Sequence, residues 1–447
     1  MKKEWLLAAL MALVTLVLAL GVVRWLAPGL LGIPVDLRVV RVSEAVPAFF
    51  DNVFRPEDRE GEGLILNDPV TATRHRPLVA EANLMGEAGT LFGPTDLLGF
   101  RNRAVPVVAD VVTIGDSQTF GSNVPMADNW PSRLAGMAGG PVLYNMSVGG
   151  WGAIQYQDLF GKALALGPRV VVVAFYTGND PAESVRLAYE FERWADFRPA
   201  PEKPGPVPSH WPPTDGEMWR VRFGDGVETV FTAAARLMSN DRDQAATGAG
   251  YAIMAEAARR MAERAAREGA WVVFTIIPTK ETAHADKVAA EGLDAPADYR
   301  RLVAHEAQNT AALAGVLEGL PNATYVDLVT ALQQAALGPR PLYPPGPDGH
   351  PVGSGYHVIA RALSGAVMAH LPAPPAPGLH AVRVPGKDAL ALVLLRDGGV
   401  WFFGSPDVAA ANGWTRSADS APLNVRDIAQ LPLRGVIKAV DPARFGP

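Results

Sequence analysis

The sequence predicts an α/β fold: a three-layer α/β/α sandwich on a central parallel sheet, with an N-terminal transmembrane helix and a small C-terminal β-rich appendage. Three observations carry it. Apolar β-branched runs alternate with helix-spaced segments from about residue 105 to 371. Two of those runs, Arg169 to Phe175 (RVVVVAF) and Trp271 to Ile277 (WVVFTII), are continuous, as in strands covered on both faces. Small polar residues follow the strands, at the end of the sheet where doubly wound folds bind ligands.

The first element is Trp5 to Val23 (WLLAALMALVTLVLALGVV), 19 uncharged residues preceded by Lys2 and Lys3. As a helix this run comes close to the ~30 Å hydrocarbon thickness of a bilayer. It exceeds the roughly 7–15 apolar residues of a secretory signal, and Arg24, Trp25 and Leu26 leave no small-x-small cleavage site after it. Residues 1–26 are therefore expected to be an uncleaved membrane anchor. The two lysines place the N-terminus in the cytoplasm and the remainder outside it, in the periplasm of a diderm bacterium. Residues 27–104 form a mixed lead-in that ends in the loop-like GPTDLLGFRNRAVP.

Within 105–371 the predicted order is strand Val107 to Ile114, helix Asn129 to Met137, strand Val142 to Met146, the glycine-rich SVGGWG, and a helix to Leu166. Strand Arg169 to Phe175 follows. The Ala-rich helix Ala245 to Glu268 feeds Trp271 to Ile277, Thr324 to Leu328 is the last strand, and Gly353 to His370 the last helix. Residues 183–244 break this rhythm as an insertion. It holds the Pro-rich Phe197 to Pro212 and a hairpin, WRVRFGDGVETVF, around Asp225–Gly226. Its Trp194, Trp211 and Trp219 suit either sugar stacking or a core edge. Residues 372–447 are the appendage: a linker from Pro372 to Gly378, then two strands within Ala389 to Phe403 joined by Asp397-Gly398-Gly399.

The 447 residues are 49% hydrophobic and 19% charged, with net charge −6 and no basic stripe, which argues against nucleic acid as a partner. The absence of cysteine excludes disulfides, Cys-based zinc sites and a thiol nucleophile.

Chemistry concentrates at the strand ends. In VVTIGDSQTFG, Val111 to Gly121, a buried strand stops at Gly115 and Asp116 and delivers Ser117. Ser117 is either a helix N-cap or a nucleophile. A nucleophile needs a base, an acid to orient that base, and donors for an oxyanion. All three occur at other strand ends. YNMSVGGWG presents backbone N–H groups, YTGNDP the Asn179 amide, and PDGHPVGSGYHVIA the pair Asp348 and His350. Asn179 also suits a helix cap, and Asp116 a loop-tying role. Lys280 and Glu281, just after the fourth strand, suit either substrate contact or a surface ion pair or cap. His357 lies inside the last helical pattern. His284 and His305 lack a second ligand at metal spacing, so neither a metal nor a cofactor is expected.

Together these blocks resemble the SGNH hydrolase family, also called GDSL esterases, over roughly Asp96 to Leu371. The resemblance implies a flavodoxin-like sheet, Ser117 as nucleophile, His350 as base and Asp348 as its acid, with Asp327 in reserve. It also implies an oxyanion hole formed by the Ser117 and Gly150 N–H groups and the Asn179 amide. Two places depart from the family pattern. Thr177 stands where the third block usually has glycine, and the acid precedes the base by two positions rather than three. DLLGFRN, GDSQTFG, IIPTKE and DGHPVGSGYHVIA look like the membrane-anchored bacterial branch, which includes alginate-type polysaccharide O-acetyltransferases. The expected activity is thus a serine-dependent esterase or acylhydrolase on ester-linked acyl groups, with an exported polysaccharide as one substrate. The alternatives are an O-acyltransferase modifying such a polymer, or a non-catalytic polysaccharide-binding scaffold.

Overall fold

The computed structural model describes residues 64–447, apart from 69–70, 81, 86–89, 107, 139, 206–217, 372–376, 384–389, 398, 416–422, 425–427 and 429–432. The expected anchor and Trp211 lie outside the described residues. No helix among the described residues is long and apolar enough to cross a membrane. The chain divides near residue 372 into two compact units.

In the larger unit, two antiparallel pairs come first: β1 (Ile65–Asp68) with β2 (Ala72–His75), and β3 (Ala82–Met85) with β4 (Thr90–Phe92). The alternation begins with β5 (Val111–Gly115), α1 (Ser117–Phe120), α2 (Trp130–Met137), β6 (Leu143–Ser147), α3 (Ala153–Ala165) and β7 (Val170–Tyr176). After β7 come α4 (Asp180–Glu190), the hairpin β8 (Trp219–Arg222) and β9 (Glu228–Phe231), α5 (Ala233–Asn240) and α6 (Ala245–Glu268). The unit closes with β10 (Trp271–Ile277), α7 (Lys280–Ala283), α8 (Ala285–Ala290), α9 (Ala297–Glu318), β11 (Ala323–Val326), α10 (Leu328–Ala336) and α11 (Gly353–Met368).

The five central strands pair in parallel in the order β11-β10-β7-β5-β6. Counted in chain order from β5, this is the flavodoxin-like order 2-1-3-4-5, whose switch point lies between β5 and β7. Alternate residues of each strand feed opposite faces. Val112, Ile114, Val171, Val173 and Phe274 pack with α3, α4, α6 and α9; Val111, Val170, Val172 and Val273 pack with α2, α10 and α11. Each fully buried Val or Ile stabilises this arrangement by about 1.5–3 kcal/mol. The expected α/β/α layers are present.

Several boundaries differ from the sequence reading. β5 begins at Val111, not Val107, because Val105 and Ala109 are buried in loop rather than in the ladder. Glu183 to Glu190 belong to α4, whose Val185, Leu187 and Ala188 sit in the core, so the inserted segment starts after them. Within it, Trp194 is buried and donates to Asp158, and Trp219 packs on Phe231 and Tyr299. Both cover a core edge.

The smaller unit carries a five-stranded sheet in the order β15-β12-β13-β14-β16: β12 (Gly378–Arg383), β13 (Leu390–Arg396), β14 (Gly399–Phe403), β15 (Leu423–Asn424) and β16 (Leu433–Ile437). The hairpin through Asp397 is where its turn residues place it. Gly378 already belongs to a strand, so it is not part of the linker.

Candidate active site

Asp116 ends β5 and caps α1, its Oδ1 accepting the Gln118 N–H at 2.9 Å. The cap is therefore Asp116, and Ser117 opens the helix with its hydroxyl uncommitted to capping. Burial raises Asp116 to about 6, against the hydrogen bond from Gln118 and the charge of His350.

Ser117 Oγ lies 2.7 Å from His350 Nε2, and His350 Nδ1 lies 2.6 Å from Asp348 Oδ1. The two-residue spacing works because Asp348 forms an Asx turn: the same Oδ1 accepts the His350 backbone N–H at 2.9 Å. One carboxylate oxygen thus fixes both the loop and the ring. Burial pushes Asp348 up, but the hydrogen bonds and charge of His350 and the amide of Asn123, 2.9 Å from Oδ2, outweigh it and hold the carboxyl well below the ordinary range. An ionised Asp348 assigns the proton to Nδ1 and leaves Nε2 to accept from Ser117.

Asn179 follows β7, across the switch point from Ser117. It occupies the cap position of α4 without capping it. Among the described residues its Nδ2 makes only long contacts, 3.5 Å to Trp151 O and 3.4 Å to Asp180 Oδ1. Beneath it, Asp180 accepts from Tyr176 N and Tyr156 Oη, and burial, then the charge of Asp116, pushes its pKa well up. In the turn after β6, Gly150 takes φ +78°, and its N–H meets no acceptor among the described residues; nor does the Ser117 N–H. Gly149 N–H instead donates to His75 Nε2 at 3.2 Å.

The structure reassigns three expected residues. Asp327 is the cap of α10, bonded to Thr330 N, and is not the acid beside His350. Lys280 is buried and donates to Gly346 O and Asp348 O, holding the loop of Asp348 and His350 from behind. Glu281 is buried and accepts from Thr232 N. Neither is placed to meet substrate, because both side chains turn inward. His357 is exposed. His305 does lie in a cluster with Asp241 and Asp243, their ligand atoms within 4.8 Å of one another. Arg301 bonds both carboxylates and supplies the positive charge there.

Four residues escaped the sequence reading. Asn123 orients Asp348 and takes φ +71°, a conformation asparagine tolerates and a detectable signal after Gly121-Ser122. His75 comes from the lead-in. Arg236 Nη2 and Tyr176 Oη would lie 3.1 and 3.3 Å from a Cβ on Gly349, so a larger residue between Asp348 and His350 would have to push these side-chain ends back by a few tenths of an ångström. No local sequence signal marks those last contacts.

Fold and site define an α/β/α protein with a serine–histidine–aspartate chain at the carboxyl ends of its strands. No protein-family model matches the chain, and no curated protein does. Among solved structures it is similar to a protein described as lipolytic and of the G-D-S-L family from Desulfitobacterium hafniense DCB-2, with 15% identity over 57% of this chain and 98% of that one and a TM-score of 0.31. It is also similar to TesA (13%, 58% and 99%, TM-score 0.32). A third is a catalytic mutant of Axe2, an acetylxylan esterase from Geobacillus stearothermophilus (11%, 58% and 94%, TM-score 0.32). These likenesses are partial, and the chemistry of the site rests on its own distances.

Proposed function

We propose that the chain is a serine-dependent esterase. The observation that carries this is the continuous path Ser117 Oγ–His350 Nε2, His350 Nδ1–Asp348 Oδ1, at 2.7 and 2.6 Å. Ser117 Oγ bonds to the ester carbonyl carbon as its proton passes to His350 Nε2. The Ser117 and Gly150 N–H groups and the Asn179 amide hold the oxyanion. Collapse breaks the C–O bond to the alcohol, which takes the proton from His350. Water then attacks the acyl-serine and gives its proton to His350; the second collapse breaks the bond from the acyl carbon to Ser117 Oγ, which takes that proton back from His350 as the acid leaves.

The uncharged run from Trp5 to Val23 supports an anchored enzyme working outside the cytoplasm, and the sequence resemblance supports an ester on an exported polysaccharide. Transfer to a second alcohol in place of water uses the same acyl-serine. It is separated from hydrolysis by whether an added polysaccharide acceptor diverts the acyl group.

A fluorophosphonate probe should label Ser117, located by peptide mass spectrometry, and the protein should release the alcohol from a small acyl ester. Ser117→Ala should remove both signals. An unlabelled protein without esterase activity, or a Ser117→Ala variant as active as the parent, overturns the reading and favours a binding scaffold.

A further inference from the structure

We propose that the β1–β2 hairpin is part of the catalytic apparatus, with His75 as the positioning residue of the oxyanion-hole turn. This rests on the serine-esterase reading above.

The hairpin lies outside the alternating sheet, yet it grips the turn after β6 along its length. His75 Nε2 accepts from Gly149 N at 3.2 Å, Thr73 O from Trp151 Nε1 at 2.9 Å, and Thr71 O from Gln155 Nε2 at 2.8 Å. Gln155 turns back to accept from Gly152 N at 2.8 Å. His75 also meets the nucleophile's own helix, edge-on to Phe120 with ring centroids 4.6 Å apart. Gly149 lies beside both: a Cβ there would lie 3.6 Å from His75 Nε2 and 3.8 Å from Ser117 Cβ, in ordinary van der Waals contact.

The consequence concerns which amide faces the reacting carbonyl. Two adjacent glycines could turn either N–H toward it. His75 takes up the Gly149 donor, and the Gly150 N–H is left without an acceptor among the described residues. An oxyanion donor acts only within hydrogen-bond reach of the developing charge, so a turn free to rotate would forfeit part of its effect. For Nε2 to accept, the ring must be neutral with its proton on Nδ1. Burial, then the charge of Arg101, lowers the His75 pKa to about 3, which keeps the ring neutral at ordinary pH. His75 touches no reacting atom and works through Gly149.

His75→Phe should retain the fold by circular dichroism and lower kcat on a small acyl ester about 10- to 100-fold with KM within about twofold. His75→Gln, whose amide oxygen can accept from Gly149, should recover most of that loss. A folded His75→Phe with unchanged kcat overturns the inference, as does a folded His75→Gln equally impaired. Should the variants fail to fold, the parent protein still decides. Labelled with ¹⁵N-histidine, it should show a His75 ring protonated on Nδ1 and bare on Nε2 from about pH 5 to 8, and the opposite tautomer refutes the bond. Absence of both Ser117 labelling and parental activity would sink the esterase reading instead, leaving the tautomer result to judge the hairpin contact.

Discussion

At the scale of single residues, the site divides by what a side chain's neighbours in sequence can reveal. Ser117 and Asn179 stood out because each follows a fully buried strand, and Asp348 and His350 because they stand together in the loop that opens the last helix. The unusual Asp-x-His spacing finds its reason only in the folded loop, where Asp348 Oδ1 serves backbone and ring together. Lys280 and Glu281 occupy the same kind of position and misled, since position at a strand end says nothing about the side chain's direction. Asn179 leaves a sharp expectation. Asn179→Ala should lower kcat by about 10²–10³ while leaving KM for a small ester nearly unchanged. Steady-state kinetics on a variant of parental melting temperature checks this, and an undiminished kcat removes Asn179 from the oxyanion hole.

Elements were legible in proportion to their regularity. β10 and α6 fall on the predicted residues, Trp271–Ile277 and Ala245–Glu268, because a continuous β-branched run and an alanine-rich helix stopped by Gly269 in a left-handed conformation leave little choice. The hairpin at 65–75 was opaque: its strands are four residues long, and His75 bonds a residue 74 positions away. α4 was misread as insertion because its core face shows only against α6. That contact is tight. A Cβ on Gly250 of α6 would lie 2.3 Å from Pro181 O of α4, a backbone atom that cannot swing aside. Gly250→Ala should therefore destabilise the protein by roughly 1–3 kcal/mol, the usual scale of overpacking, although alanine is the better helix former. Denaturant unfolding checks it, and a stabilised variant would mean the helices can separate without penalty.

For the whole molecule, burial of titratable groups sets a pH dependence. His284 is buried against Phe223, Phe231 and Tyr343 with Nδ1 2.8 Å from Lys280 O, and burial lowers its pKa to about 4. The unfolded chain protonates it near the ordinary value of about 6.5, so unfolding takes up a proton between these limits. Its contribution is present above about pH 6.5 and lost as pH falls toward 4. From pH 7.5 to pH 5 the parent should lose about 2 kcal/mol more unfolding free energy than His284→Gln. Equal losses in the two proteins would show that His284 titrates alike in the folded and unfolded chain. The site also has a bearing on the order in which the protein comes into being. Ser117 and His350 are 233 positions apart. A chain emerging from the ribosome carries its serine through more than half of synthesis with no base to activate it. In the proposed esterase the hydroxyl becomes a reagent only once the last loop has closed over the finished sheet, so chain order withholds its activation until folding is nearly complete.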